Sequence, residues 1–355
     1  MDAPMSGSAA AAALTRPLAL PYTLTPAFSA NTGPVVVLMS GWPDRPATLF
    51  ASLLRRLAAA GYRPATVELP GYAADAAHPL PPRWWGWDFP QITAGYAAAV
   101  RAIQEAAAGG GAGEGGAAAT AAPPAPLAPV TFVTHDWGAA VTWQLVAAHP
   151  TLARAIVGAD VGDAAGLAAV HLAFCALYMS ALAVLFVLGG PAGDAGTRWL
   201  ARVLGAPHPA EAAARMNAPY YWTVRRQVAG LWRWLTGGGR GEGGLGGPSV
   251  RLGAVPACPT MYLYGTKKGT FQYHSREWIA NLNARPDCKV VPMADAHWLM
   301  AGPTAAEYEE AVLGWLATTI GPRGGAPAGA APVAAAPVAA AGTAAAPAEE
   351  GKKDL

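Results

Sequence analysis

Short runs of β-branched and aromatic residues alternate along this chain with longer segments in which apolar residues recur at helical spacing. Buried strands are predicted at residues 35–39, 63–69, 130–133, 153–160, 260–264 and 289–293, with a weakly marked first strand within 18–28. Helices are predicted at 47–60, 90–104, 141–148, 273–282 and 304–319, and helical material fills 164–236. This alternation predicts an α/β fold with a doubly wound, mostly parallel sheet.

The segment from residue 130 to residue 148 combines a strand, a sharp corner and a helix. Its strand is followed by Asp136 at the corner and then by the small residues Gly138, Ala139 and Ala140. Small residues beside such a turn are typical of a nucleophile elbow, because bulk would block the approach of the helix. Asp136 is therefore either a nucleophile, which would form an ester with an alkyl carbon, or the N-cap of the following helix.

The helical block 164–236 lies between two predicted strands and is followed by a glycine-rich stretch. We expect it to form a lid over the carboxyl ends of the strands, where open α/β sheets bind ligands. The predicted organisation is a disordered N-terminus, a first part of the core with a low-complexity loop, the lid with its glycine-rich loop, a second part of the core, and a disordered Ala/Pro/Gly tail. Their ranges are 1–17, 18–163 (loop 106–129), 164–250, 251–320 and 321–355.

The composition argues against some classes of binding partner. A net charge of +2 and a charged fraction of 13% over 355 residues give no reason to expect nucleic acid. Three scattered cysteines fit a reducing compartment, and we expect no disulfide framework, metal or cofactor. The N-terminus lacks the pattern of a secretory signal, so we expect a cytoplasmic location, with organellar targeting or membrane association as alternatives.

Four short motifs stand in a fixed order along the chain: Ser40-Gly-Trp-Pro-Asp44, Leu69-Pro-Gly-Tyr72, His135-Asp-Trp-Gly138 and Ala296-His-Trp298. This ordered set resembles the α/β-hydrolases, and most closely their epoxide hydrolase and haloalkane dehalogenase branch. The resemblance covers residues 35–320 apart from the two low-complexity loops. It implies the α/β-hydrolase fold, with a helical lid inserted before the last two strands.

The resemblance also implies catalytic roles. Asp136 would be the nucleophile, and His297, after the last strand, would activate the water that hydrolyses the ester. The usual position of the orienting acid after the penultimate strand holds Lys268. Part of the family carries the acid at the end of the strand after the elbow helix, which here is Asp160, with Asp163 as the alternative. Either acid could instead cap the first lid helix.

The oxyanion hole implied by the resemblance consists of two backbone N–H groups, those of Trp42 and Trp137. Two positions depart from the family pattern. Ser40 replaces the usual histidine before the glycine, and Thr134 replaces the usual glycine two residues before the nucleophile. Both departures leave the backbone role in place.

The lid segment 217–222 resembles the place where epoxide hydrolases supply a tyrosine that binds the epoxide oxygen. Tyr220 and Tyr221 both fit, and both are also explained as aromatic lid core. Dehalogenases hold halide with the indole after the nucleophile, here Trp137, and with a second donor at the position of Trp42. Because that position often holds asparagine, we favour hydrolysis of epoxides to diols over the alternatives: a haloalkane dehalogenase, or a degenerate α/β-hydrolase that binds a ligand or a membrane.

Residues 164–190 contain no Asp, Glu, Lys or Arg, and His171 is the only basic residue among them. This apolar run has the length of a membrane span, although a buried lid helix rich in alanine has the same pattern. The expected partners are a small lipophilic substrate and, through this segment, a membrane surface. No obligate protein partner is expected.

Overall fold

A computed structural model describes residues 20–73, 87–109, 127–163, 169–236, 254–268 and 272–321 of the chain. Its strands form one sheet: β1 Tyr22–Leu24, β2 Val35–Met39, β3 Arg63–Val67, β4 Val130–His135, β5 Ala153–Ala159, β6 Thr260–Gly265 and β7 Lys289–Met293. The strand order is β1-β3-β2-β4-β5-β6-β7. β1 pairs antiparallel with β3, and the other pairs are parallel. The predicted mostly parallel sheet is confirmed.

Ten α-helices lie in the described ranges: α1 Pro26–Ala30, α2 Pro46–Leu49, α3 Ala51–Ala59, α4 Phe89–Ala107, α5 Trp137–Ala148, α6 Ala169–Leu188, α7 Gly190–Val203, α8 Ala218–Leu235, α9 Arg276–Asn283 and α10 Ala305–Thr319. Helices α6 to α8 lie between β5 and β6, so the helical insertion precedes the last two strands as predicted. Helix α6 packs mainly against α8, and α7 packs on α6.

The central strands are buried on both faces, which explains their nearly continuous apolar sequences. In β2, Val36 and Leu38 belong to one buried cluster, whereas Val37 and Met39 belong to another. The first cluster includes residues of α3 and α10, and the second includes residues of α4, α5 and the lid. Helices therefore cover both faces of the sheet, and the lid shares a core with the face that carries α5.

Several predicted helix bounds differ from the structure. The single helix predicted at 47–60 is two helices, interrupted at the buried Phe50. Gly61 follows α3 with a positive φ of 85°, a conformation that favours glycine after the end of a helix. Helix α4 reaches Ala107, so the loop predicted from residue 106 begins later. A capping box of Asp88 and Gln91 fixes the start of this helix.

One of two predicted helix starts is wrong. Helix α10 begins within one residue of its predicted start, although Thr304 before it makes no capping bond. Its hydroxyl donates to Oδ2 of Asp295 at 2.8 Å instead. Helix α9 begins at Arg276 rather than at Tyr273, because the Ser275 hydroxyl accepts a hydrogen bond from the backbone N–H of Trp278 at 3.0 Å.

The predicted disordered N-terminus, the glycine-rich part of the lid region and nearly all of the predicted tail lie outside the described residues, so those boundaries stay predictions. Among the helices of the described ranges, none is both long and apolar enough to cross a bilayer. The alternative that the apolar run is a wholly buried lid helix is wrong for one side of α6. Its side chains Leu177, Val184 and Leu188 are exposed.

Candidate active site

The turn between β4 and α5 has the strained geometry of an elbow. Asp136 has φ of 52° and ψ of −125°, a conformation that non-glycine residues adopt rarely. A side chain at Gly138 would collide with the backbone carbonyl of Met39, so the glycine lets α5 approach the end of β2. The Asp136 carboxylate makes no hydrogen bond that caps α5. The conformation therefore turns this side chain out of the helix axis and towards the lid.

One oxygen of the Asp136 carboxylate is held by backbone amides. Oδ2 accepts a hydrogen bond from the N–H of Trp42 at 2.8 Å, and the backbone N–H of Trp137 also donates to this carboxylate. A side chain at Gly41 would collide with Oδ2, so the close approach requires glycine. Burial raises the pKa of Asp136, and His297 and the two N–H groups offset part of that effect.

The other oxygen of Asp136 faces His297, which lies in the loop after β7. Nε2 of His297 is 3.8 Å from Oδ1 of Asp136, and the two side chains are only 18% and 16% exposed. Nδ1 of His297 donates a short hydrogen bond to Oδ2 of Asp160. In the neutral imidazole a proton on Nδ1 leaves a lone pair on Nε2, which is the arrangement that a general base requires.

Asp160 is the acid that the fold brings to His297. It follows β5 with a positive φ of 67° and is fully buried. Oδ1 accepts from the backbone N–H of Gly265 at 3.0 Å, and Oδ2 accepts from Nζ of Lys268 at 2.5 Å as well as from His297. Burial pushes the pKa of Asp160 upward, but His297 and Lys268 outweigh it and leave the pKa below its usual range.

The alternative acid, Asp163, is used differently. Its carboxylate accepts hydrogen bonds from the backbone N–H and the hydroxyl of Ser275, at 2.7 Å and 2.5 Å. Asp163 therefore fixes the start of α9, and Asp160 contacts the imidazole. Asp160 does not cap the first lid helix in this structure, since its carboxylate is taken up by Gly265, Lys268 and His297.

Lys268 has a role that the sequence does not reveal. Its side chain is 9% exposed and pairs with Asp160, and its ammonium lies 5.1 Å from the ring centroid of Tyr273. Burial lowers the pKa of Lys268, and Asp160 offsets part of that shift. Lys268 thus supplies the positive charge that compensates the buried Asp160 carboxylate.

The two candidate lid tyrosines point to different places. Tyr220 is buried, and its ring meets those of Trp137 and Trp42 edge to face, with centroids 5.4 Å and 5.8 Å apart. Burial raises its pKa well above the usual range, and the Asp136 carboxylate adds to that effect. Tyr221 instead stacks on Phe186 and lines a groove on the outer side of the lid. Tyr220 is therefore the tyrosine beside Asp136.

Two further tyrosines near Asp136 were not predicted. Tyr178 of α6 and Tyr273, before α9, are hydrogen-bonded to each other, and the negative charge of Asp136 helps to raise the pKa of each. The Tyr178 ring centroid is 5.9 Å from that of Tyr220. Tyr178 lies within the apolar run, where it is indistinguishable by pattern from a packing residue. Burial raises the pKa of both phenols, so they remain protonated donors.

Buried polar contacts fix the surroundings of the site. His135 is fully buried, burial lowers its pKa to about 3, and its Nε2 donates to the carbonyl of His297 at 3.1 Å. The Trp42 indole donates to Oδ1 of Asn217 at 2.7 Å, and Asn217 donates to Oγ1 of Thr197 at 2.8 Å. The first contact holds the loop that contains His297, and the Trp42–Asn217 bond joins the loop of Trp42 to the lid.

The Asp160–Lys268 pair gives a prediction that separates stability from catalysis. We expect Asp160→Asn to destabilise the fold by about 3 kcal/mol, because it leaves the Lys268 ammonium buried without its charge partner. Adding Lys268→Met removes that unpaired charge, so the double variant should recover most of the unfolding free energy. The catalytic rate should be roughly 10⁴-fold below that of the wild type in both variants, because neither has the carboxylate that fixes the tautomer of His297. Urea unfolding and steady-state rates measure the two effects.

The same pair sets the pH dependence of stability. Because the pKa of Asp160 is lowered on folding, its contribution is present above the unfolded pKa and is lost as the pH falls through the folded one. The wild type should therefore lose more stability on acidification than Asp160→Asn/Lys268→Met. An Asp160→Asn variant as stable as the wild type would contradict this account.

Comparison with known proteins places the fold. No family model matches the sequence, and no curated protein matches it. An epoxide hydrolase from Bacillus megaterium solved with an inhibitor is 12% identical, with a TM-score of 0.55 and coverage of 84% of this chain and 96% of that one.

Two other solved structures are similar to the same extent. Epoxide hydrolase A from Mycobacterium thermoresistibile is 16% identical, with a TM-score of 0.52 and coverage of 84% and 98%. A thermophilic esterase from Thermogutta terrifontis is 12% identical, with a TM-score of 0.53 and coverage of 85% and 94%. The identities are low, so the likeness concerns the fold and leaves the reaction open. The seven-stranded sheet and these neighbours show that the protein has the α/β-hydrolase fold, as its sequence predicts.

Proposed function

We propose that the protein is a hydrolase that opens epoxides to diols through an ester on Asp136. The orientation of the Asp136 carboxylate carries this proposal. Oδ2 accepts from the Trp42 N–H, the Trp137 N–H also donates to this carboxylate, and Oδ1 faces His297. A helix-capping aspartate would instead accept from the N–H of the second or third residue of α5, and Asp136 makes no such bond.

The first step forms the ester. Oδ1 of Asp136 attacks a ring carbon of the epoxide, the carbon–oxygen bond of the ring breaks, and the released oxygen takes the proton of the Tyr220 hydroxyl. The raised pKa of Tyr220 suits this role, because the phenol stays protonated until an alkoxide develops beside it. Because one hydroxyl of the Tyr178–Tyr273 pair donates to the other, the pair can supply one further donor near Asp136.

The second step hydrolyses the ester. His297 removes a proton from water, which attacks the carboxyl carbon of Asp136, and the two backbone N–H groups stabilise the negative charge on Oδ2. The tetrahedral species collapses, the diol oxygen leaves with the proton from His297, and the carboxyl proton returns to Tyr220 through solvent. Asp160 orients the imidazole throughout. One epoxide and one water give one diol.

The contacts of Trp42 favour epoxides over haloalkanes. In a dehalogenase this position would direct a side-chain N–H at the halide. Here the Trp42 indole N–H is engaged by Asn217 at 2.7 Å and stabilises the lid. An esterase is disfavoured for a chemical reason, since a carboxylate that attacks an acyl group gives an anhydride. The degenerate-protein alternative is weakened because Lys268, one of the departures behind it, pairs with Asp160.

A single-turnover experiment in ¹⁸O-labelled water tests the proposal. With enzyme in excess over a small panel of lipophilic epoxides, the first diol should contain unlabelled oxygen, because that atom comes from Asp136. The label should appear in the peptide that contains Asp136. Label in the first diol would instead mean direct attack by water. Halide release from haloalkanes without diol would favour the dehalogenase, and silence across epoxides, haloalkanes and esters would favour the binding protein.

The two lid tyrosines provide a matched pair of variants. We expect Tyr220→Phe to lower kcat/KM for epoxides by about 10²-fold or more, because the departing oxygen loses its proton donor. Tyr221→Phe should leave the rate within about twofold, since its ring stacks on Phe186 on the other side of the lid. Measuring kcat/KM of both variants with one epoxide tests whether Tyr220 is the proton donor. Equal losses, or a larger loss for Tyr221→Phe, would contradict the assignment.

A further inference from the structure

The lid presents an apolar surface on the side away from the sheet. Six side chains of α6 and α8 form it, and each is at least 58% exposed: Leu177, Val184, Leu188, Val228, Trp232 and Leu235. They recur at intervals of three, four or seven residues, so each helix contributes one continuous stripe. We call this surface the lid outer face. Monomeric soluble proteins rarely leave such a contiguous set exposed without an occupant.

The two stripes border a groove rather than a flat surface. Its volume is about 750 Å³, and it is lined mainly by aliphatic side chains of both helices, with Trp232 at one end. Tyr221 also lines the groove and is the chain neighbour of Tyr220 in the candidate active site. The groove therefore lies on a neighbouring face of the helix that supplies the tyrosine beside Asp136.

The charges on these helices are of one sign. Helix α8 contains three arginines, Arg225, Arg226 and Arg233, and neither α6 nor α8 contains an aspartate or a glutamate. Arg225 is exposed and lines the groove. A helix pair with an apolar stripe, a tryptophan at its edge and only basic charges has the composition of an interfacial membrane contact.

The charges of α6 and α8 indicate what binds to the lid outer face. A second copy packed face to face would bring arginines of α8 towards arginines, with no acid on either helix to compensate. An anionic lipid surface supplies the opposite charge for the arginines and an apolar layer for the stripes. We propose that the lid outer face docks the protein on membranes that contain anionic phospholipid, with the groove open to the acyl chains. This inference goes beyond the proposed reaction and does not depend on it.

Vesicle flotation with the full chain tests the proposal. The protein should float with vesicles of equal parts phosphatidylcholine and phosphatidylserine, bind vesicles of pure phosphatidylcholine much less, and detach as salt rises. Arg225→Glu/Arg226→Glu should lower the partition coefficient on anionic vesicles at least about tenfold. The matched control is Arg55→Glu/Arg101→Glu, which makes the same charge change at exposed arginines of α3 and α4 and should bind like the wild type.

The apolar contribution needs its own variant. Leu188→Ser/Trp232→Ser should weaken binding to anionic vesicles while leaving the thermal midpoint nearly unchanged, because both side chains are exposed. Equal binding by the lid arginine variant and its matched control would overturn the proposal, as would absence of flotation with anionic vesicles. A lipid-independent dimer that the serine variant abolishes would also overturn it, in favour of a second copy as the occupant. The rate on a soluble epoxide is measured separately, so failure of the reaction would not be mistaken for failure of docking.

Discussion

Epoxide turnover is expected to fall by a factor on the order of 10⁴ to 10⁶ when Asp136 is replaced by alanine. Without the carboxylate no alkyl ester forms, and the remaining groups can only orient a water molecule beside the epoxide. His297 would keep its contact with Asp160, and the Trp42 and Trp137 N–H groups would lose the oxygen that they hold. Steady-state diol formation under saturating epoxide measures the loss.

A second variant separates the loss of the nucleophile from a loss of folding stability. Asp136 has a positive φ, which alanine tolerates poorly, so Asp136→Ala combines lost chemistry with backbone strain. Asp136→Asn keeps the shape and tolerates this conformation better, but its amide is a poor nucleophile. We expect both variants to lose turnover and only the alanine variant to lose appreciable stability. Turnover within about tenfold of wild type in the asparagine variant would exclude a carboxylate nucleophile.

The second large effect is expected at His297. His297→Gln should let Asp136 attack the epoxide but should slow hydrolysis of the ester by about 10³-fold, because no base removes the proton from water. The covalent species should therefore accumulate. Intact-protein mass spectrometry should show an increase equal to the mass of the epoxide, and peptide mapping should locate it at Asp136. Diol should appear as one rapid partial turnover followed by a very slow phase.

Two control variants distinguish an ester on Asp136 from alkylation of another side chain. His149→Gln changes a histidine at the end of α5 by the same substitution and should accumulate no adduct. Asp136→Asn/His297→Gln should show no mass increase, since the attacking oxygen is gone. A persistent adduct in the double variant would mean that another side chain is alkylated. No adduct in His297→Gln, together with normal turnover, would remove the histidine from the proposed mechanism.

Much of the fold follows from local sequence. Strands such as β2 and β4 consist of apolar runs that only a two-sided core can bury, and helices fill the spaces between them. The elbow is also marked in the local sequence. A helix that starts this close to a neighbouring strand needs a residue without a side chain, which here is Gly138. The element bounds were less accurate where a side chain that the pattern does not single out caps a helix, as Ser275 does at the start of α9.

The candidate site is only partly local. The order of motifs and the strand ends indicated that Asp136 and His297 would meet with either Asp160 or Asp163, since the carboxyl ends of parallel strands share one edge of the sheet. The local sequence shows at Lys268 only the absence of the usual acid, because the role of this lysine depends on Asp160, 108 residues away in the chain. Tyr178 gave no signal, because a phenol inside an apolar helix has the same pattern whether it packs or donates.

The sequence by itself determined the sheet, the elbow, the position of the lid and the residue types available for chemistry. These depend on periodicity, chain order and short-range sterics, which are properties of contiguous segments. Only the tertiary structure decided which acid contacts His297, which tyrosine faces Asp136, and which side of the lid stays exposed. Those outcomes depend on the rotation of helices and on pairs of charges far apart in the chain, where burial and charge compensation select one arrangement.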